Sequence, residues 1–148
     1  MDFNLENLFT LSNTTAMFSW IILIIGYKSA WIRKLLIGTV ITAFAILYTY
    51  LITRAMGESG AGFSSFGSLY GVMGLFTNKV AALAGWIHYL AFDLLTGIWI
   101  VTNAQKNDIH FLFVLPCLLF TFMMGPFGLL LYLFVRMIYT RSYLVDYP

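Results

Sequence analysis

The stretch from Val80 to Val101 is apolar and long enough for a helix to cross the roughly 30 Å of bilayer hydrocarbon, yet it holds His88 and Asp93. A carboxylate at the bilayer centre costs roughly 2.5–3.5 kcal/mol on insertion scales, so such a side chain normally faces a bundle interior and often marks function. The fold must therefore shelter Asp93 with protein while the rest of the stretch meets lipid. With 61% hydrophobic and 9% charged residues among 148, little chain is left for a soluble module, whose charged content would be about 25%. The sequence predicts one all-α integral membrane domain over 1–148, with the lipid bilayer as its first partner.

The net charge of +2 is small and its basic residues are scattered, which argues against a nucleic-acid partner. Cys117 is the single cysteine and lies in an apolar run, where it reads as a small buried residue. Asp2 and Glu6 stand where a secretory signal would be basic, and no Arg/Ser-rich transit stretch follows. The expected location is a bacterial cytoplasmic membrane.

Four spans are expected, at about 5–25, 35–52, 80–101 and 109–139, forming a four-helix bundle. Asn13, in the first span, is expected to face inward, because polar groups at this depth bond to neighbouring helices. Lys28, Arg33 and Lys34 crowd the first connection and mark it as cytoplasmic, which places both termini outside. The last span is too long for one straight crossing. Pro116 and the Gly125-Pro126 pair are expected to kink it and free carbonyls near Phe122. Arg136 and Arg141 are expected to snorkel to the interface.

Half the glycines, Gly57, Gly60, Gly62, Gly67, Gly71 and Gly74, fall between the second and third spans. No phosphate-loop signature accompanies them. The segment reads as an interfacial or re-entrant lid, or else as an extramembrane loop.

At 100° per residue, Trp86, Tyr89, Asp93 and Thr96 share one stripe of the third span, and Gly85, His88, Phe92 and Trp99 another. His88 and Asp93 diverge by about 140° on that geometry, so they border one cavity from two sides at most. Gly85 and Gly97 permit close approach by a neighbour. The aromatic residues Trp86, Tyr89, Phe92 and Trp99 either pack the bundle or line a slot for a long polyene.

The run Gly85-Trp-Ile-His-Tyr-Leu-Ala-Phe-Asp-Leu-Leu-Thr-Gly-Ile-Trp99, with Leu115-Pro-Cys-Leu118 and Gly125-Pro-Phe-Gly-Leu-Leu-Leu-Tyr132, resembles the neoxanthin-synthase (abscisic-acid-deficient) family of small integral membrane proteins. The resemblance extends to Asn13, Trp20 and the Gly/Phe-rich segment, and so covers nearly the whole chain. Two positions depart from the family pattern: Ile98 stands where relatives carry arginine, and Gly26 where they carry proline. The family implies a carotenoid or other long isoprenoid as partner, and an isomerisation in which an epoxide opens to an allene. Such a step needs a proton donor at oxygen and a base at carbon, and no redox cofactor.

Hydrocarbon favours the uncharged forms of both Asp93 and His88, and a neutral acid near a neutral base suits acid–base catalysis. Asp93 is expected to protonate the substrate oxygen and His88 to shuttle the proton from carbon. Asn13, Tyr89 and Thr96 would orient that oxygen, with Trp86, Phe92, Trp99 and Pro126 around the substrate. Against this stand a purely structural role for the two polar groups, and a non-catalytic carotenoid-binding or assembly subunit. A metal site from His88, His110, Asp93 and Glu6 lacks ligand spacing. No Gly-x-Ser-x-Gly elbow supports hydrolysis, and no internal repeat supports a transporter.

Overall fold

The computed structural model describes residues 4–59 and 63–142, and among them every regular element is helical. Helix α1 (Leu5–Ile25) starts where Asn4 accepts from the backbone N–H groups of Glu6, at 3.1 Å, and Asn7. It stops at Gly26, where a Cβ would run into Ile32. After a tight turn, Ser29 caps α2 (Ala30–Leu36). A π-helical turn at Ile37–Ile41 carries the rod into α3 (Thr42–Ser59). The Thr42 hydroxyl donates 2.9 Å to the Ile37 carbonyl five residues back, matching the wider register of that turn. This second crossing begins at Ala30 rather than near residue 35. Arg33 and Lys34 are accommodated within its first turns, Arg33 by donating 3.0 Å to the Tyr27 carbonyl.

The glycine-rich stretch is mostly helical in its described parts. Gly57 belongs to α3, Gly67 to a 3-10 turn at Phe63–Gly67, and Gly71 and Gly74 to α4 (Leu69–Thr77), which Ser68 caps. Gly60 and Gly62 lie outside the described residues. Gly71 is where the 3-10 turn touches α4, since a Cβ there would strike the Ser65 backbone. The outer side of α4 presents Leu69, Tyr70, Met73 and Phe76.

Helix α5 (Lys79–Lys106) is the axis. Its 28 residues span about 42 Å at 1.5 Å each, and α1, α3, α4, α6 and α7 all pack on it. Two apolar clusters meet along it, one centred on Leu94, Ile98 and Val101, the other on Ala84, Ile87 and Ala91. Three helical rods, Leu5–Ile25, Ala30–Gly57 and Lys79–Lys106, are long and apolar enough to cross a membrane.

The expected fourth crossing is replaced by a hairpin. Helices α6 (Phe111–Met124) and α7 (Pro126–Thr140) fold back on each other, so that Phe113 meets Tyr139 at 5.6 Å between ring centroids and Phe120 meets Phe127 at 5.2 Å. With 14 and 15 residues they are about 21 and 22 Å long, short of the hydrocarbon thickness. The reversal is local chemistry. Gly125 takes φ +35° and ψ −91°, and Pro126 opens α7 without needing an N–H partner. Gly128 then lies directly on Thr121, where a Cβ would collide with backbone. Pro116 stays inside α6.

The hairpin also decides at which end of the bundle α7 finishes. Leu5 and Lys79 border one recess, whereas Arg136 in α7 bonds to Asn103 at the other end of α5. Residues Leu5 and Ser142 therefore sit at opposite ends of the bundle, where four crossings would have brought both ends together.

Candidate functional site at the hairpin tip

Midway along α5 the Asp93 carboxyl faces the break between α6 and α7. The residue is 8% exposed, and its atoms Oδ1, Cγ and Oδ2 occupy the space that a Cβ on Gly125 would need. Only a glycine at this turn lets the carboxyl lie against the backbone. Oδ2 is fully buried and has no hydrogen-bond partner among the described residues. A buried polar atom left unpaired costs about 1–3 kcal/mol, so it calls for an explanation.

One turn earlier, the Tyr89 hydroxyl donates 2.9 Å to the Met123 carbonyl, one of the last acceptors of α6. The same phenol interacts with the Asp93 carboxyl. Its single proton thus has two competing acceptors at the break. Trp86 stacks on Tyr89 at 5.4 Å and donates through Nε1 to the Asn13 side chain at 2.7 Å. Asn13, Trp86, Tyr89, Asp93 and the Gly125-Pro126 turn therefore form a continuous polar and aromatic line from α1 through α5 to the hairpin tip.

Across the tip from Asp93 begins α7. Its N-cap is Gly125, no side chain caps it, and Pro126 carries no N–H. The leading N–H groups are those of Phe127 and Gly128, at the positive end of the helix dipole.

The remaining expected residues lie elsewhere on α5. His88 points away from Asp93, packing on Phe92 at 4.4 Å and Tyr48 at 5.3 Å. It borders a recess of about 320 Å³ shared with Tyr48, Val72, Phe76 and Gly85. The acid–base pair expected at one cavity is thus not brought together, because the two side chains leave different faces of one continuous helix. Thr96 and Trp99 border a recess of about 430 Å³ between α5 and α7, with Leu95, Leu129 and Leu133. Thr96 donates 2.8 Å to the Phe92 carbonyl, and Trp99 meets Tyr132 edge-on at 5.7 Å.

Both helical glycines singled out from the sequence admit an aromatic ring: Gly97 receives Trp20 and Gly85 receives Phe76. Among the described residues no three His, Cys, Asp or Glu side chains converge. His110 accepts from the Leu112 N–H at the start of α6, and Glu6 lies in the first turn of α1.

A second buried polar group escaped the sequence reading. The Asn103 side-chain oxygen accepts from the Tyr132 hydroxyl at 2.7 Å and from Arg136 Nε at 3.2 Å. Arg136 is 5% exposed rather than snorkelling to the interface. The signal was an arginine on the apolar helix α7 facing an asparagine near the end of α5, legible only once α7 is known to run back. Beyond α5, burial pushes the Tyr27 phenol above its usual range, partly offset by the neighbouring Arg33.

Neither the curated proteins nor the solved structures contain a match to this chain. The family model described as ABA4-like, ABA DEFICIENT 4-like, matches residues 7–132, which takes in α1 through the first half of α7, Asp93 and the hairpin tip included. The chain belongs to the ABA4-like family of membrane proteins, related to neoxanthin synthase.

Proposed function

We propose that the protein is a membrane-embedded isomerase of a carotenoid or related isoprenoid, with Asp93 as its acid. The observation that carries this reading is the buried Asp93 oxygen without a partner, held against the α6–α7 break at the middle of α5. In its acid form the carboxyl has one proton to give and finds no protein acceptor on Oδ2. An epoxide oxygen of a substrate would be that acceptor. Proton transfer to the oxygen accompanies breakage of its C–O bond, and the proton lost from the adjoining polyene carbon returns to the carboxylate. No electrons or cofactor are consumed, and one group serves as acid and then as base. Tyr89, sharing its proton between Met123 and Asp93, steadies the carboxyl through the exchange. His88, on the far side of α5, is assigned no proton transfer.

The test is the pigment profile of a carotenoid-producing host expressing the wild type, Asp93→Asn or Asp93→Leu. Loss of the converted species in both variants, with protein levels unchanged, is expected. Conversion that persists in both removes the proposal.

A second reading, a carotenoid-holding subunit without chemistry, is favoured by how tightly Asp93 is packed against Gly125. On that reading the carboxyl serves the uncapped end of α7, and pigment copurifies unchanged.

A further inference from the structure

At the end of the bundle where α1 and α5 both begin lies a recess of about 420 Å³, within the range of about 300–1,000 Å³ typical of small-molecule sites. Its lining is divided. Glu6 and Lys79 stand at the mouth, in the first turns of α1 and α5, and both are exposed. Phe9 lies one turn further in on α1, and Leu83 and Trp86 lie one and two turns further in on α5. The Phe9 and Trp86 rings meet at 5.9 Å between centroids, and Trp86 Nε1 is committed to Asn13, so the inner wall presents carbon. The two opposite charges face this recess without joining: among the described residues neither Glu6 nor Lys79 makes an ion pair. Lys79 is moreover the first residue of α5, where the helix dipole disfavours a cation and favours an anion beside it. Centred on the bilayer, the 28 residues of α5 extend about 6 Å past the hydrocarbon at each end. The charged mouth therefore stands among lipid headgroups, and Trp86, about 10 Å deeper along α5, stands in hydrocarbon.

A matching ligand brings an anion to Lys79, a cation to Glu6 close beside it, and a hydrocarbon chain to the inner wall. We infer that this recess binds a phospholipid with an ethanolamine headgroup, its phosphate on Lys79, its ammonium on Glu6 and one acyl chain along Phe9, Leu83 and Trp86. The primary ammonium donates charge-assisted hydrogen bonds to the Glu6 carboxylate. A choline headgroup carries the same charge but no N–H to donate, and a glycerol headgroup brings no cation and leaves its phosphate facing Glu6. The site lies about 20 Å along α5 from Asp93 and does not depend on the role given to that carboxyl.

The test is lipid binding to the full-length protein in detergent, read by native mass spectrometry during titration with phosphatidylethanolamine, phosphatidylcholine and phosphatidylglycerol of identical short acyl chains. The ethanolamine lipid is expected to bind about fivefold more tightly than either of the others, the scale of one exposed ion pair. Glu6→Gln abolishes that preference by weakening the ethanolamine lipid alone. Lys79→Gln weakens all three lipids, which share the phosphate. Ala82→Trp, filling the recess from a half-buried wall, weakens all three as well. Equal binding of the three lipids, strongest binding of the glycerol lipid, a preference that survives Glu6→Gln, or binding untouched by Lys79→Gln or by Ala82→Trp overturns the inference. Displacement of the lipid by free phosphoethanolamine at equal concentration also overturns it, since the ligand would then be a soluble zwitterion and the acyl chain would contribute nothing.

Discussion

The reversal at Gly125 is open to a direct test by distance. Were α6 and α7 one continuous kinked helix, Phe113 and Tyr139 would lie about 39 Å apart at 1.5 Å per residue, and a moderate kink would shorten this only slightly. In the hairpin their rings are in contact, 5.6 Å between centroids. Phe113→Cys and Tyr139→Cys, introduced together after replacing the only native cysteine by Cys117→Ala, should therefore be joined by a short bis-maleimide linker within one chain. Both positions are on the outer surface of the hairpin, so the thiols remain open to reagent. The readout is an internally linked peptide pair by mass spectrometry, absent from either single-cysteine protein. A membrane-impermeant thiol reagent supplies a sided version: Asn107→Cys and Ser142→Cys should label from one face and Asn4→Cys from the other. Absence of the internal link, with both thiols shown reactive to a monofunctional maleimide, would refute the fold-back and return the chain to four crossings.

Other outcomes follow from single contacts. Gly97→Leu should destabilise the protein by about 1–3 kcal/mol, the usual range for overpacking, because even a Cβ would come within 2.5 Å of the Trp20 ring; an unchanged thermal midpoint in detergent would contradict that packing. Asn13→Ala removes the acceptor of Trp86 Nε1 and should cost about 0.6 kcal/mol, the average for bonds inside membranes, and no more than about 1.7 kcal/mol, read by the same unfolding assay. Asn103→Leu strands the buried Tyr132 hydroxyl and takes one acceptor from Arg136, and a loss of about 1–3 kcal/mol is expected. Gly125→Ala should cost about 1–3 kcal/mol in backbone strain and push the Asp93 carboxyl aside, so pigment conversion in a carotenoid-producing host should fall as it does for Asp93→Leu.

Much of the site is legible in the sequence, because helix geometry alone puts Trp86, Tyr89 and Asp93 on one stripe. The polarity of Asn13 in an apolar span likewise announces an inward partner, found as Trp86. The same geometry separates His88 from Asp93, and in the fold each meets different neighbours, His88 packing on Phe92 and Tyr48 and Asp93 on Gly125. What the sequence hides is the sign of a torsion. A Gly-Pro pair after an apolar run reads equally as a kink or as a reversal, and the choice depends on Gly125 adopting positive φ with Gly128 available to seat Thr121. The buried station of Arg136 follows from that choice and is concealed with it. Local composition also misleads around Gly71 and Gly74, where capping by Ser68 and packing against the 3-10 turn prevail over the low helix propensity of glycine.

The short hairpin also dictates an order of assembly. Neither arm is long enough to settle across the bilayer alone, and the apex would bring bare peptide groups into oil. A nascent chain must therefore already have its three long rods in place before the last segment can tuck in beside them. Chains truncated after Lys106 should insert stably, whereas the C-terminal segment synthesised by itself should be cleared by membrane quality control unless the longer fragment is supplied in the same cell.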